Sequence, residues 1–382
     1  MRADPCPAPI LLMARSLGAG GSERQMAELA VALDPAEFAV HVGCFYDHGV
    51  RASELRSRGV PVLRLPVRSF LNFSAARGAW VLGRYVRRNR IQLVHTFDLP
   101  LTCFGVPVSR AFGVPFVLSS QRAHRALHPR ARSVIRLTDR MVDGIVVNCE
   151  AMRRHMVEEG ASPELIHVCP NWIDTARYRP QQKLRPGGLA GAALIIGVVC
   201  MLRPEKDLET LVEAFARVAC GAPGLILLVV GSGPMLGSLQ DQARRLGVLP
   251  QCVFQPEVSD VTPWLREIDI FVLPSTTEAL SNSLMEAMAC GCCPIASRVG
   301  GNPELIEDGV TGLLFRAGDA EDLAGKLRSL IADQSARSAL SAKAVSFIRE
   351  RFDHRVLVGR MAGVYRSYLS GASLRGAPQR RL

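Results

Sequence analysis

Aromatic side chains make up only 6% of this 382-residue chain. That scarcity argues against a single-strand nucleic-acid platform, in which bases stack on rings interleaved with arginines, so no nucleic-acid partner is expected. No apolar run reaches the ~20 residues that a spanning helix needs. The longest, LAGAALIIGVVCML (189–202), has a β-branched centre that reads as a buried strand. The opening MRADPCPAPILLMARSLGAGG lacks a secretory pattern, because an acid comes early and PILLMA runs quickly into glycines. A cytoplasmic chain is the expectation. There is no Walker phosphate loop. The 11 cysteines are odd in number and lie mostly in apolar runs, which suits reduced, buried thiols. Cys290, Cys292 and Cys293 cluster, but no second Cys or His pair follows at zinc spacing. They read as a helix end running into a buried strand, and no metal is expected.

Lysine is missing from the first 178 residues, yet that half is the basic one. It holds 23 arginines against 15 acids, a net +8 of the chain's +11. The arginines bunch in RGAWVLGRYVRRNR (77–90) and SSQRAHRALHPRARSVIRLTDR (119–140). Nucleic acid, an anionic membrane surface or an anionic substrate would each account for such clusters, and so would a solvated helix face with no partner.

The length suits two α/β domains. Apolar runs alternate with helix-periodic segments throughout. PILLMAR, FAVHVGCFY, VPVLRLP, IQLVHTF, VPFVLSS, DGIVVNCE and LIHVCPNWID punctuate the first half. LIIGVVCML, LILLVVG, CVFQP, IDIFVLP, CPIASRV and GLLF punctuate the second. Repeated βα units predict parallel sheets, here two Rossmann-like domains facing each other across a cleft at the carboxyl ends of their strands. The polar stretch RYRPQQKLRPGG (177–188) reads as the linker. The expected division is 1–180 for the first domain, 181–345 for the second, 346–370 for C-terminal helices and 371–382 for a disordered tail.

Three loops carry chemistry. LGAGGSE (17–23) follows the first strand and opens a helix, where Gly20 and Gly21 allow a backbone to approach a phosphate. It is not the dinucleotide fingerprint, since the sixth position is Glu23; a plain tight turn is an equal reading. LRPEKD (202–207) places Arg203 and Lys206 at the end of the second half's first strand, to meet an anion or to form a local ion pair. STTEALSNSLMEAMACG (275–291) holds two glutamates. Ser283 and Glu286 stand in the S-x-x-E relation of a capping box, and Gly291 ends the helix. Glu278 has no such structural job. Amides near Ser281, Asn282 and Ser283 suit a diphosphate, and two carboxylates suit a ribose diol and sugar hydroxyls. In VGGNPELI, Gly300 and Gly301 permit close approach, Asn302 can cap and Pro303 suits a first helical turn.

These motifs resemble the retaining glycosyltransferases of family 4, which have the GT-B fold. The resemblance rests on Glu278-x7-Glu286 followed by GGNPELI, with LRPEKD, the GSGP turn (Gly231, Gly233), HVCPNWID and GAGGSE in the family's order, over roughly residues 9–370. It implies that the first domain binds a glycan or lipid-linked acceptor and the second a nucleotide-diphosphate sugar. Lys206 would neutralise the diphosphate, Glu286 would hold the ribose and Glu278 the sugar. Gly20, Gly21, Arg203, Gly231, Gly233, Ser281, Asn282 and Ser283 would complete the donor site. The last helix would cross back to the first domain. No metal or cofactor is implied, and retention would follow a front-face route.

The chain departs from the family at Met201, where the resemblance implies an arginine, and at Ser119, Ser120 and Gln121, where it implies a histidine. His95, on the preceding strand, is the candidate for an acceptor or sugar contact, or else a satisfied core histidine. The family reading makes this an enzyme of polysaccharide or glycoconjugate biosynthesis, with peripheral membrane contact through its arginine-rich half. The alternatives are a degenerate nucleotide-sugar-binding protein, or a nucleotide-sugar epimerase of the same fold.

Overall fold

The computed structural model describes residues 6–18, 20–70, 72–122, 135–185, 189–222 and 224–371. The tail from 372 and most of the second arginine cluster (123–134) lie outside the described residues. The chain forms two compact units. One holds the residues up to Asn171 and those from Arg355 onward, and the other runs Trp172–His354. Residues 172–180 and 346–354 therefore go with the second unit, not where the sequence reading divides them.

Unit 1 holds seven parallel strands in the order β3-β2-β1-β4-β5-β6-β7. They are β1 Ala8–Met13, β2 Phe38–Cys44, β3 Val62–Arg64, β4 Leu93–Thr96, β5 Phe116–Gln121, β6 Gly144–Val147 and β7 Ile166–Val168. Between them run α1 Gly21–Ala32, α2 Val50–Ser57, α3 Phe73–Arg88, α4 Leu99–Ala111 and α5 Glu150–Glu158. Helix α4 carries Pro107 inside it. The central strands are buried on both faces, from Ile10 to Met13 in β1 and from Leu93 to Thr96 in β4, as a parallel sheet covered on both sides requires.

Unit 2 holds six parallel strands in the order β10-β9-β8-β11-β12-β13. These are β8 Leu194–Val199, β9 Leu225–Val230, β10 Cys252–Gln255, β11 Ile270–Leu273, β12 Cys293–Ser297 and β13 Leu313–Phe315. Its helices are α6 Leu208–Ala219, α7 Leu236–Arg245, α8 Thr262–Glu267, α9 Asn282–Ala289, α10 Asn302–Leu305, α11 Ala320–Ala332 and α12 Gln334–Arg351. Strand β8, β11 and the helix α6 bury Ile196, Val198, Leu211, Phe215, Ile270 and Val272 in one core.

The stretch read as a linker is fastened to unit 2. The Glu267 carboxylate accepts from the backbone N–H of Leu184 at 2.7 Å and of Arg185 at 2.8 Å. Lys183 and Arg185 both pair with Asp269. Burial works to raise the Asp269 carboxyl, but the two cations and their hydrogen bonds outweigh it and hold the group below the usual range.

The last helix, α13 His354–Leu369, belongs to unit 1 from Arg355 on. Tyr365 Oη lies 2.7 Å from His95 Nδ1 and Tyr368 Oη lies 2.8 Å from His167 Nε2. Tyr368 also donates to the Asp143 carbonyl at 3.0 Å. Gly144 leaves the space for it, since a Cβ there would stand 2.3 Å from Tyr368 Oη. All of the described helices are too short or too polar to cross a membrane.

Candidate active site in the second unit

In unit 2 the chain leaves β8 toward β9 and β10, then returns to β11 on the other side of β8. The loops after β8 and β11 therefore diverge at a topological switch point, the place where open α/β sheets bind ligands. The loop after β8 buries Leu202, leaves Met201 52% exposed, and makes a single 3-10 turn, Pro204–Lys206. Asp207 then takes a left-handed conformation (φ 48°) and accepts from Thr210 Oγ1 at 2.8 Å, launching α6.

The loop after β11 comes back to meet this turn. Thr276 N donates to the Glu205 carbonyl at 3.0 Å, and Lys206 Nζ donates to Glu278 Oε2 at 2.6 Å. Ser275 Oγ donates to the same carboxylate oxygen at 3.3 Å. Both charged side chains are mostly buried, which makes either partner costly to remove.

Backbone from the next loop closes over Glu278. Gly300 has φ +51°, and a Cβ there would stand 1.6 Å from the Glu278 carbonyl oxygen. Gly301 N donates to the Ala279 carbonyl at 2.7 Å. Asn302 does not cap its helix. Gly301 takes that place, while Asn302 is buried and donates to the Ser297 carbonyl at 3.0 Å.

The cap of α9 also differs from the sequence reading. Ser281, not Ser283, is the N-cap, and its Oγ accepts from Leu284 N at 3.3 Å. The third helical position is thus Leu284, so Glu286 serves no capping box. Glu286 lies one turn into the helix and is only 4% exposed. Gly291 ends the helix with φ +89°.

Two adjacent loops after parallel strands thus share a lysine–glutamate pair, followed by a capped helix N-terminus that carries a second, buried glutamate. Residues 181–347 match the family of glycosyl transferases group 1, and residues 20–172 match the glycosyl transferase 4-like domain. The chain belongs to the group 1 glycosyl transferases.

Among curated relatives of this glycosyltransferase is a GDP-mannose-dependent phosphatidylinositol monomannoside mannosyltransferase of Mycolicibacterium smegmatis, 28% identical over 69% of this chain and 73% of that protein. A D-inositol 3-phosphate glycosyltransferase of Segniliparus rotundus is 29% identical over 62% of this chain, which spans 55% of that protein's length. The crystal structure of HepE from Anabaena with UDP-glucose superposes with a TM-score of 0.80 over 94% of this chain and 99% of that one, at 21% identity. It shows the shared two-sheet fold.

Other expected site residues of the glycosyltransferase fall differently. Arg203 is exposed and reaches Glu205 only at 3.8 Å. Gly231 and Gly233 have an internal reason to be glycine: a Cβ would stand 1.9 Å from the Cys200 carbonyl oxygen and 2.4 Å from that of Leu202. They let the β9 loop lie on the β8 loop, which positions the turn that carries Lys206. Gly20 and Gly21 sit at the start of α1 in unit 1, where a Cβ on Gly20 would meet the Glu23 carboxylate at 2.2 Å. The chain's own acid therefore occupies the space beside that helix end.

His95 has the environment of a core histidine. It is fully buried, with Nδ1 on Tyr365 and Nε2 on Ser120 Oγ at 2.8 Å. Burial first, then Arg122 and His167, holds the imidazole well below 6.5. Sequence reasoning missed Arg122 at the end of β5. Its guanidinium lies 5.1 Å from the Phe97 ring centroid, and Nη1 donates to Asn171 Oδ1 at 2.8 Å. It also missed Ser275, whose neighbourhood in STTE gives no sign that its hydroxyl turns onto Glu278. The clustered Cys290, Cys292 and Cys293 are buried free thiols, each raised well above its usual range by burial.

Proposed function

We propose that this glycosyltransferase moves a sugar from a nucleoside-diphosphate sugar to a glycan or lipid-linked acceptor in glycoconjugate biosynthesis, with retention at the anomeric carbon, without metal, and at the cytoplasmic side of a membrane. The Lys206–Glu278 pair at the switch point carries the reading. An ammonium has three donors, so Lys206 can keep Glu278 while donating to a diphosphate oxygen. The N–H groups at the start of α9 would hold the same diphosphate. Glu286 would accept from the ribose diol, and Glu278 from the sugar hydroxyls.

In the front-face route, the acceptor oxygen bonds to the anomeric carbon on the face the diphosphate leaves. The bond from that carbon to the diphosphate oxygen breaks, and the acceptor proton passes to the departing phosphate. Lys206 and the helix amides stabilise the charge that develops on it, a preorganised electrostatic effect. The relatives support a nucleotide-sugar donor: one is named for GDP-mannose and phosphatidylinositol monomannoside, and HepE is crystallised with UDP-glucose.

The test is thermal stability with UDP, GDP, ADP or dTDP, each with and without EDTA. At 100 times its dissociation constant the right nucleotide stabilises the fold by about 2.7 kcal/mol. The shift should survive EDTA and vanish in Glu286→Ala. An inverted product anomer by NMR would remove the retaining part. Met201 favours one other reading, a binding protein that has lost turnover; donor turnover by the wild type that is lost in Glu278→Ala removes it.

A further inference from the structure

Helix α3 presses one face onto unit 1 and leaves the other uncovered. Its buried positions are Gly78, Leu82, Gly83 and Val86. Two are glycines for want of room: a Cβ at Gly78 would stand 2.3 Å from Val67 Cγ2, and one at Gly83 would stand 2.2 Å from Phe112 Cε1. The opposite face reads Phe73, Arg77, Trp80, Arg84, Arg87 and Arg88, all exposed. These positions follow the i, i+4, i+7, i+11 spacing of one helical stripe.

Phe73 is 92% exposed and Trp80 is 58% exposed. Large rings standing out together on a regular helix mark an interaction surface. Helix α3 contains no acidic residue, and none of its four stripe arginines forms an ion pair among the described residues. Arg84 instead lies over the Trp80 ring, 5.5 Å from its centroid, and Arg87 over Phe112 at 5.0 Å.

Alternating rings and arginines fit one partner best. Rings of this kind settle at the boundary of acyl chains and headgroups, while arginines reach the phosphates beside them. A second copy of the chain packed on the same face would set four arginines against four arginines. A nucleic acid would need a series of open rings to stack on, and this stripe has two rings seven residues apart, with Arg84 over one face of Trp80.

We propose that the Phe73–Arg88 stripe seats unit 1 in the interfacial layer of an anionic lipid surface, with Phe73 and Trp80 at the level of the glycerol and upper acyl chains and the four arginines on lipid phosphates. This deepens the reading of a lipid-linked acceptor and rests on it for its purpose. Helix α3 starts after β3, so Phe73 lies toward the carboxyl edge of the unit 1 sheet, the edge at which such sheets take ligands. A lipid-borne acceptor would thus be presented at the correct edge.

The test uses the full chain with vesicles of phosphatidylcholine alone or mixed with phosphatidylglycerol, without donor or acceptor, so its failure leaves the transferase reading intact. The chain should sediment with the mixed vesicles at low salt and be released at high salt. Brominated acyl chains should quench its tryptophan emission, and Trp80→Phe should abolish the quenching while binding persists. The Phe73→Ser/Trp80→Ser variant should bind about tenfold more weakly or worse, and each of Arg84→Gln, Arg87→Gln and Arg88→Gln about fivefold more weakly. The nucleotide-induced thermal shift should be unchanged in all of them, which establishes that they fold. A chain that stays in the supernatant with mixed vesicles at low salt, or quenching that survives Trp80→Phe, would overturn the proposal. So would a lipid-free dimer that dissociates in the Phe73→Ser/Trp80→Ser variant, since the stripe would then be a self-interface.

Discussion

Lys206 Nζ donates to Glu278 Oε2 at 2.6 Å, and this contact joins the loop after β8 to the loop after β11. The two residues work as one unit. Removing either leaves a mostly buried charge without its partner, so their effects should not add. Glu278→Gln keeps a hydrogen-bond acceptor and loses the charge. It should lower donor turnover about a hundredfold or more, and Lys206→Ala should do the same. The double variant should be little worse than either single one. Independent, multiplicative losses in steady-state kinetics would show that the pair is not a functional unit.

Gly300→Ala should unseat Glu278 without touching a charged group. The new Cβ would stand 1.6 Å from the Glu278 carbonyl oxygen, at a backbone φ of +51°. Loss of about 2 kcal/mol or more is expected in urea unfolding, with a weakened nucleotide response. An unchanged midpoint would mean that the loop yields freely.

Ser281 and Ser283 should separate cleanly. Ser281→Ala removes the cap of α9 and should cost about 1 kcal/mol. Ser283→Ala should stay within about 0.5 kcal/mol. The reverse order would restore the capping box and give Glu286 a structural role.

Acid should loosen unit 1. Burial first holds His95 well below 6.5, and burial lowers His167 as well. In the unfolded chain both imidazoles take up a proton as pH falls through about 6.5, whereas in the native state they do so only lower down. The unfolded state therefore binds more protons in that window, and stability declines as pH falls through it. The thermal midpoint should drop between pH 7 and pH 5, and His95→Gln should flatten part of the slope. A midpoint that does not move over that range would remove the explanation.

The βα alternation and the two glutamates were legible because they are local: strand runs, turn residues and an eight-residue spacing. What was not legible depends on partners far away in the chain. The unit boundary falls at Asn171/Trp172 because Ile173 N donates to the Phe352 carbonyl at 2.8 Å and its own carbonyl accepts from His354 N at 3.0 Å. Composition points instead to the Pro-rich stretch, which Glu267 and Asp269 fasten down. The packing reason for Gly231 and Gly233 was not legible because their neighbours across the sheet, Cys200 and Leu202, are invisible in the motif. Ser283 read as the cap because S-x-x-E is a local pattern, while Ser281 caps with only Leu284 at its third position.

The return of α13 to unit 1 has a consequence for how the protein is made. Tyr365 and Tyr368 are the partners of His95 and His167, and they are translated 270 and 201 residues after those histidines. Unit 2 is one unbroken stretch of chain and can close while synthesis continues. Unit 1 starts first and finishes last: until its final helix leaves the ribosome, two buried imidazoles wait without their phenols. A message cut short between codons 355 and 365 would release a chain whose second unit is whole and whose first is left for the quality-control machinery.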